Sequence, residues 1–351
     1  MRAGWSWLGV VALGLGAGAC GSGEVTVAPS APARSAFVDL GPAVPSSISS
    51  SLGSIWLQTS GDRSGVTEVR DGEVAAFIAV PGGGAIAAGA GSVWSAVTTM
   101  PRQRGYEVPD GEAKLARIDP VDKRIAATIS LGEGSAVDVV ANDDRVWVAV
   151  EIHDGPGRVV EVDPASNRVV REIPLGTGAS ALALGGSALW AATGPAAGGG
   201  SRAVRIDPST GRRTGSTELD GRIDALAASD SMVWATTGSA PEEQSAVTSI
   251  DPVSLEARFT VDLDGQMGSD LGVADGSVWV SLWKNSGDDY FPAAAASVVQ
   301  IDERTGAVEQ HLSLGDGIAP GVLVLGPQLV AMVFESVADG QPNAELQIID
   351  P

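Results

Sequence analysis

An all-β chain, seven four-stranded sheets set as the blades of a β-propeller, is the fold the sequence predicts, and three observations predict it. An aspartate-centred triplet recurs as "IDP" or a close variant, at Asp119, Asp163, Asp207, Asp251, Asp302 and Asp350, with separations of 44, 44, 44, 51 and 48 residues. A tryptophan recurs in step with it, as Trp56, Trp94, Trp147, Trp190, Trp234 and Trp279. Between these markers run short β-like segments divided by glycine-rich turns, four to a unit, the pattern of a sheet that buries its faces against neighbouring copies of itself.

The chain opens with "MRAGWSWLGVVALGLGAGAC": one arginine, an apolar stretch from Trp5 to Ala19, then small residues. The stretch is too short to span a bilayer and reads as a secretory signal. Cys20, the sole cysteine, directly follows "AGA", and this junction resembles a bacterial lipobox, although Ala17 stands where leucine is commoner. The resemblance implies a lipoprotein signal peptide over 1–19, lipidation of Cys20, and an extracytoplasmic protein anchored to the bacterial cell membrane. Residues 20–33, small, polar and proline-bearing, read as a flexible tether, and 34–351 as the propeller.

The best-formed unit, residues 178–219, divides into "ALAL", "ALWAAT", "AVRID" and "RTGSTEL". A large aromatic repeated once per unit most simply fills the space between adjacent sheets. The Asp-Pro step is a turn former, because Asp bonds the backbone two residues on and Pro presets φ. In the seventh unit Leu329 and Val330 replace the Val-Trp of the others, and no fourth strand follows before Pro351. Residues 36–41, "AFVDLG", match fourth strands such as "REIPLG", and Leu40 precedes Trp56 by the same 16 residues that separate Leu131 from Trp147. The N-terminal strand should therefore pair beside residues 346–349, complete the last blade and close the ring without an exposed edge.

The blade pattern "G-S-V-W-V-A" followed by "I-D-P-x-T-G-R", as in "IDPSTGR" at 206–212, resembles the propeller repeats of the YVTN type and of the streptogramin (virginiamycin B) lyase-like group, over residues 36–351. This resemblance implies the fold and leaves the activity open, since these families include lyases, sensor domains and proteins with no assigned activity. The net charge of −21 argues against nucleic acid and anionic headgroups as partners, leaving the lipid anchor as the membrane contact of a monomer.

Two connections between second and third strands are long. Residues 98–114 carry Arg102, Arg104 and Tyr106, and residues 283–297 carry Trp283, Asp288, Asp289, Tyr290 and Phe291. They hold both tyrosines of the chain, and aromatic, mixed-charge loops of this kind are the candidate ligand-binding residues, with mutual packing of the two loops as the competing reading. Asp138, Asp224 and Asp270 open inner strands near the channel mouth and are candidate Ca²⁺ or Mg²⁺ ligands. Asp224, however, lies ten residues before its tryptophan and the other two nine, so alternation along a strand argues against their convergence. A streptogramin-type lyase would need a histidine base; His153, beside Glu151 and Asp154, is the candidate, whereas His311 lies on an outermost strand. The motif "D-x-x-T-G" is shared with quinone-dependent dehydrogenases, but Gly215 and Gln310 stand where those repeats place tryptophan, so no such cofactor is expected. The leading expectation is a non-catalytic, surface-tethered binding or scaffold module for a cell-envelope protein, peptide or glycan; the alternative is a metal-assisted lyase or hydrolase.

Overall fold

Strand and turn chemistry alternate along the chain with little else between them. The computed structural model describes residues 21–24, 33–60, 63–99, 111–153, 155–194, 200–238, 245–284, 295–326, 328–336 and 342–350. They form seven four-stranded antiparallel sheets, with a fifth strand added to one of them. Blade four shows the plan, with strands Ala179–Gly185, Ala188–Thr193, Ser201–Ile206 and Arg213–Leu219 running from the channel outwards. Its second strand is buried at every residue, as a strand covered on both faces must be, while its fourth alternates between buried and solvated positions.

The aspartate turns form as their sequence requires. Asp207 Oδ1 accepts hydrogen bonds from the Ser209 amide (2.8 Å), the Ser209 hydroxyl (2.7 Å) and the Thr210 amide (3.2 Å). These donors hold its carboxyl down at about pKa 2. Asp119, Asp251 and Asp302 cap the equivalent turns in the same manner.

The ring closes as expected. Ala33–Gly41 pairs antiparallel with Pro342–Asp350, placing Ala36 opposite Ile348, Phe37 opposite Gln347, Val38 opposite Leu346 and Asp39 opposite Glu345. Blade seven thus takes its outer strand from one end of the chain and its other three from the far end. Within the segment that reads as a tether, Gly21–Glu24 lies as a short parallel strand along Ala257–Asp262, extending blade five to five strands. Cys20 lies outside the described residues.

The core is a series of apolar layers between blades. Each tryptophan faces the following blade: Trp94 packs against Val139, Val146 and Val148 of blade three, and Trp190 against Ile223, Leu226 and Val233 of blade five. Five of the six indoles are at most 1% exposed, and Trp279 is 4% exposed. Burying one indole removes roughly 200 Å² from water, on the order of 5 kcal/mol, so these seams dominate the ring's cohesion.

Candidate functional site

All seven inner strands contribute to a cavity of about 250 Å³ at the channel mouth. Asp138, Asp224 and Asp270 all line it, with Ser46, Ser47, Ser180 and Ser269. Asp224 thus reaches the same cavity wall as the other two, although it stands one position earlier relative to its tryptophan. A bulge at Val137, Asp224 and Ser269 of the three inner strands brings the bulged residue and the one after it (Asp138, Ala225 and Asp270) to the cavity wall together.

Two of these carboxylates stitch neighbouring blades. Asp138 Oδ1 accepts from the amide of Val139 (2.7 Å), and its Oδ2 accepts from Leu182 N–H of blade four (2.7 Å). Asp270 repeats the arrangement, with Oδ1 taking Leu271 N–H (2.8 Å) and Oδ2 taking Val322 N–H of blade seven (3.2 Å). Ser47 does the same from blade one, its hydroxyl accepting from Ile86 N–H of blade two (3.1 Å). These are equivalent positions, each nine residues before the tryptophan of its blade, and the remaining blades carry Ala85, Ala181, Ala225 and Gly321 there.

Burial pushes the Asp138 carboxyl up to about 7, against the opposing pull of its two amide donors and with a further push from the charge of Asp270. Burial likewise lifts Asp270 to about 6. Asp224 is also raised by burial, opposed by Arg222 at 3.1 Å. The mouth is therefore an acidic ring whose two most enclosed carboxylates already accept backbone donors. Among the described residues, no group of three or more His, Cys, Asp or Glu side chains is arranged to hold a metal ion.

His153 lies exposed in the connection after the second strand of blade three, and it is not among the residues lining this cavity. Glu151, at the end of that strand, is exposed, and Asp154 lies outside the described residues. His311 sits on the outermost strand of blade six, 4% exposed, with Nε2 3.0 Å from the Ser297 hydroxyl. Of the loop candidates, Trp283 is half-buried at the end of the second strand of blade six, cross-strand from Met267 and Ala296. Arg102, Arg104, Tyr106, Asp288, Asp289, Tyr290 and Phe291 lie outside the described residues.

Sequence reasoning missed a set of buried ions on the opposite, short-turn face. Glu68 is fully buried, yet it pairs with Lys123 of blade two at 2.5 Å and Arg70 at 2.8 Å, and accepts from the Ser54 hydroxyl at 2.8 Å. Burial alone would raise this carboxyl, but the bonds from Lys123 and Ser54 and the charges of Lys123 and Arg70 hold it below its ordinary value. Glu161, 2% exposed, is bracketed by Arg145 at 3.0 Å and Arg171 at 3.5 Å. Arg117 lies over the Trp94 ring and donates to Pro164 O (2.7 Å) and Asn167 Oδ1 (3.0 Å) of blade three. The signal was a charged residue at mid-strand opposite four of the six tryptophans, Glu68, Arg117, Glu161 and Arg205, an unusual place for a charge unless it is paired.

No protein-family model and no curated protein matches the sequence. Solved structures do match in shape. The β-propeller domain of Cps50 (Swd1) from Myceliophteria thermophila superposes with a TM-score of 0.62 at 11% identity, covering 91% of this chain and 99% of that one. Hydrazine synthase of Kuenenia stuttgartiensis superposes with a TM-score of 0.62 at 13% identity, covering 89% of this chain and 96% of that one. At such identities the likeness establishes the seven-bladed propeller fold and nothing about activity.

Proposed function

We propose that this protein is a non-catalytic binding or scaffold propeller of the YVTN and streptogramin-lyase-like type, tethered at the bacterial cell envelope through Cys20, which engages an envelope protein, peptide or glycan with its loop-bearing face. The observation that carries the reading is the contrast between the two faces. One is made of short turns whose conformation is set by two-residue glycine hairpins and aspartate caps. The other carries connections that range from residues 61–64 in blade one to 100–111 in blade two and 284–294 in blade six. Variable loops on a uniform rigid frame are where recognition is usually built. Trp283 stands at the base of the blade-six loop as a half-buried aromatic anchor.

The non-catalytic part of the reading is supported by how the channel carboxylates are used. Asp138 and Asp270 have both oxygens committed to backbone amides, two of them in the next blade. A metal-assisted lyase or hydrolase would require carboxylates converging with His153, which lies outside the cavity lining. The test is to photo-crosslink the protein on whole cells through a probe placed in either face. Partners should be recovered from the loop face and lost on the combined change of Tyr106, Trp283 and Tyr290 to alanine. Recovery unaffected by that change would sink the assignment of this face. Fatty-acid labelling lost in Cys20→Ser checks the anchor, and labelling that persists would overturn it.

A further inference from the structure

The seam between blades seven and one is built differently from the other six. In blades one to six the tryptophan faces, across its own sheet, a polar residue of the third strand: Glu68, Arg117, Glu161, Arg205, Ser249 or Gln300. In blade seven Val330 holds the tryptophan position, between Leu323 on the first strand and Ile348 on the third. The cover differs as well. Lys123, in the turn of blade two, stands 4.9 Å from the centre of the Trp56 ring, and the turn of blade three buttresses the arginine lying over Trp94. Blade one replaces that long turn by the two-residue hairpin Asp71-Gly72, with φ of 53° and 78°.

Beside this short turn, at the same seam, lies a cavity of about 430 Å³, bordered by Ile348, the cross-strand neighbour of the buried Val330. Leu52, Ile55, Val69, Leu325 and Ile348 form its apolar wall, and Ser50, Ser51, Ser54 and the exposed Asp71 carboxylate supply its polar groups. Small-molecule sites are typically of this size, roughly 300–1,000 Å³, and of this make-up, apolar walls with few polar groups. Leu52 adds an independent mark. It is 67% exposed and held at φ 53°, a left-handed conformation that costs a non-glycine residue about 1 kcal/mol, at the position where the corresponding hairpins carry Ala90, Gly186 and Asp275. An exposed leucine kept in a strained turn at a cavity edge serves contact with a ligand better than it serves the turn.

The repeat itself indicates what fits, because six equivalent seams are filled by an indole, two of them with a cation over the ring. We propose that the seam between blades seven and one binds a small planar aromatic molecule of indole size carrying a protonated amine, its ring against Ile55, Leu325 and Ile348, the last paired with the tryptophan-position residue Val330, and its amine facing Asp71. This site lies on the short-turn face and is independent of recognition by the loops. The test is calorimetric titration of the protein with tryptamine, indole and indole-3-acetate, with methyl NMR to locate the bound ring. Tryptamine should bind most tightly and indole-3-acetate least, with shifts at the methyls of Leu52, Ile55 and Ile348. Val330→Trp should raise the Kd for tryptamine about tenfold or more by occupying the space, and Leu325→Trp gives the same reading from a half-exposed position should the first variant fail to fold. Asp71→Asn should remove the preference for the amine while leaving indole binding intact. Absence of tryptamine binding, shifts at methyls elsewhere, or affinity unchanged in the tryptophan variants would each overturn the proposal.

Discussion

Blades three and four meet through polar atoms and an indole, whereas blades seven and one meet through an aliphatic cluster. In the first seam Asp138 accepts from Leu182 N–H, Arg171 donates to Ser209 O at 3.2 Å, and Trp147 packs among Leu182, Leu189 and Val204. In the second, Val330, Met332 and Leu346 face Ile55, Leu57 and Val69. The backbone is the same in both, so repetition fixes the frame and leaves the contents of each seam free to differ. The closing seam adjoins the blade assembled from both ends of the chain, and the fifteen backbone-paired positions of its two outer ladders carry the closure instead of an indole.

The comparison breaks most completely if the closing strand is removed. Deleting residues 33–41 strips Val38 and Leu40 from the seven-one layer and leaves Pro342–Asp350 as an open edge. Cooperative thermal unfolding, followed by circular dichroism, should be lost. Next in size, Trp147→Ala should cost about 3–5 kcal/mol in urea denaturation, as large aromatic truncations in cores do. Val330→Ala, at the equivalent position of blade seven, should cost about 1–2 kcal/mol, since less apolar area is withdrawn. Equal losses would show that the two seams hold the ring alike.

Acidity separates the seams further. Asp138 and Asp270 keep their protons to about pH 7 and 6 in the folded ring, against about 3.9 in an unfolded chain. The folded state binds more protons in that window, so their contribution is fully present below about pH 4 and is lost as pH rises through 6 to 7. Replacing both by asparagine should flatten the stability profile between pH 4 and 7 by about 1–3 kcal/mol, whatever the cost of the lost amide latches. A profile with the wild-type slope would assign the pH dependence elsewhere. The smallest effect is expected from Asp207→Ala, which loosens the turn that Arg171 grips and makes the three-four seam resemble the closing one. Its denaturation midpoint should fall by less than in any variant above, and a fall as large as that of Trp147→Ala would mean that the turn, rather than the indole, holds the seam.

The frame of the molecule was legible because its signals are local and repeated. The tryptophan spacing, the Asp-Pro turns and the matching interval from Leu40 to Trp56 each follow from strand period and turn chemistry, and together they located the closing strand. What the channel aspartates do was not legible. Their shared place on the cavity wall depends on a bulge in each inner strand, and acceptors of Asp138 and Asp270 are filled by amides 44 and 52 residues away in the next blade. The buried pairing of Glu68 with Lys123 is hidden for the same reason, since the partners meet only once two blades stack. The open seam was half visible: Val330 in a tryptophan position and Asp71-Gly72 in place of a six-residue turn are both plain in the chain. That the two gaps coincide needed the ring order, which places blade one against blade seven.

The most direct measurement is the unfolding free energy of Val330→Trp by urea denaturation. If the closing seam lacks the ring that the other six contain, the added indole should fill the cavity and stabilise the protein by about 0.5–2 kcal/mol, as cavity-filling changes commonly do. A loss of about 1–3 kcal/mol, the mark of an overpacked core, would mean that the aliphatic cluster already fills the seam and that no aromatic group is missing from it.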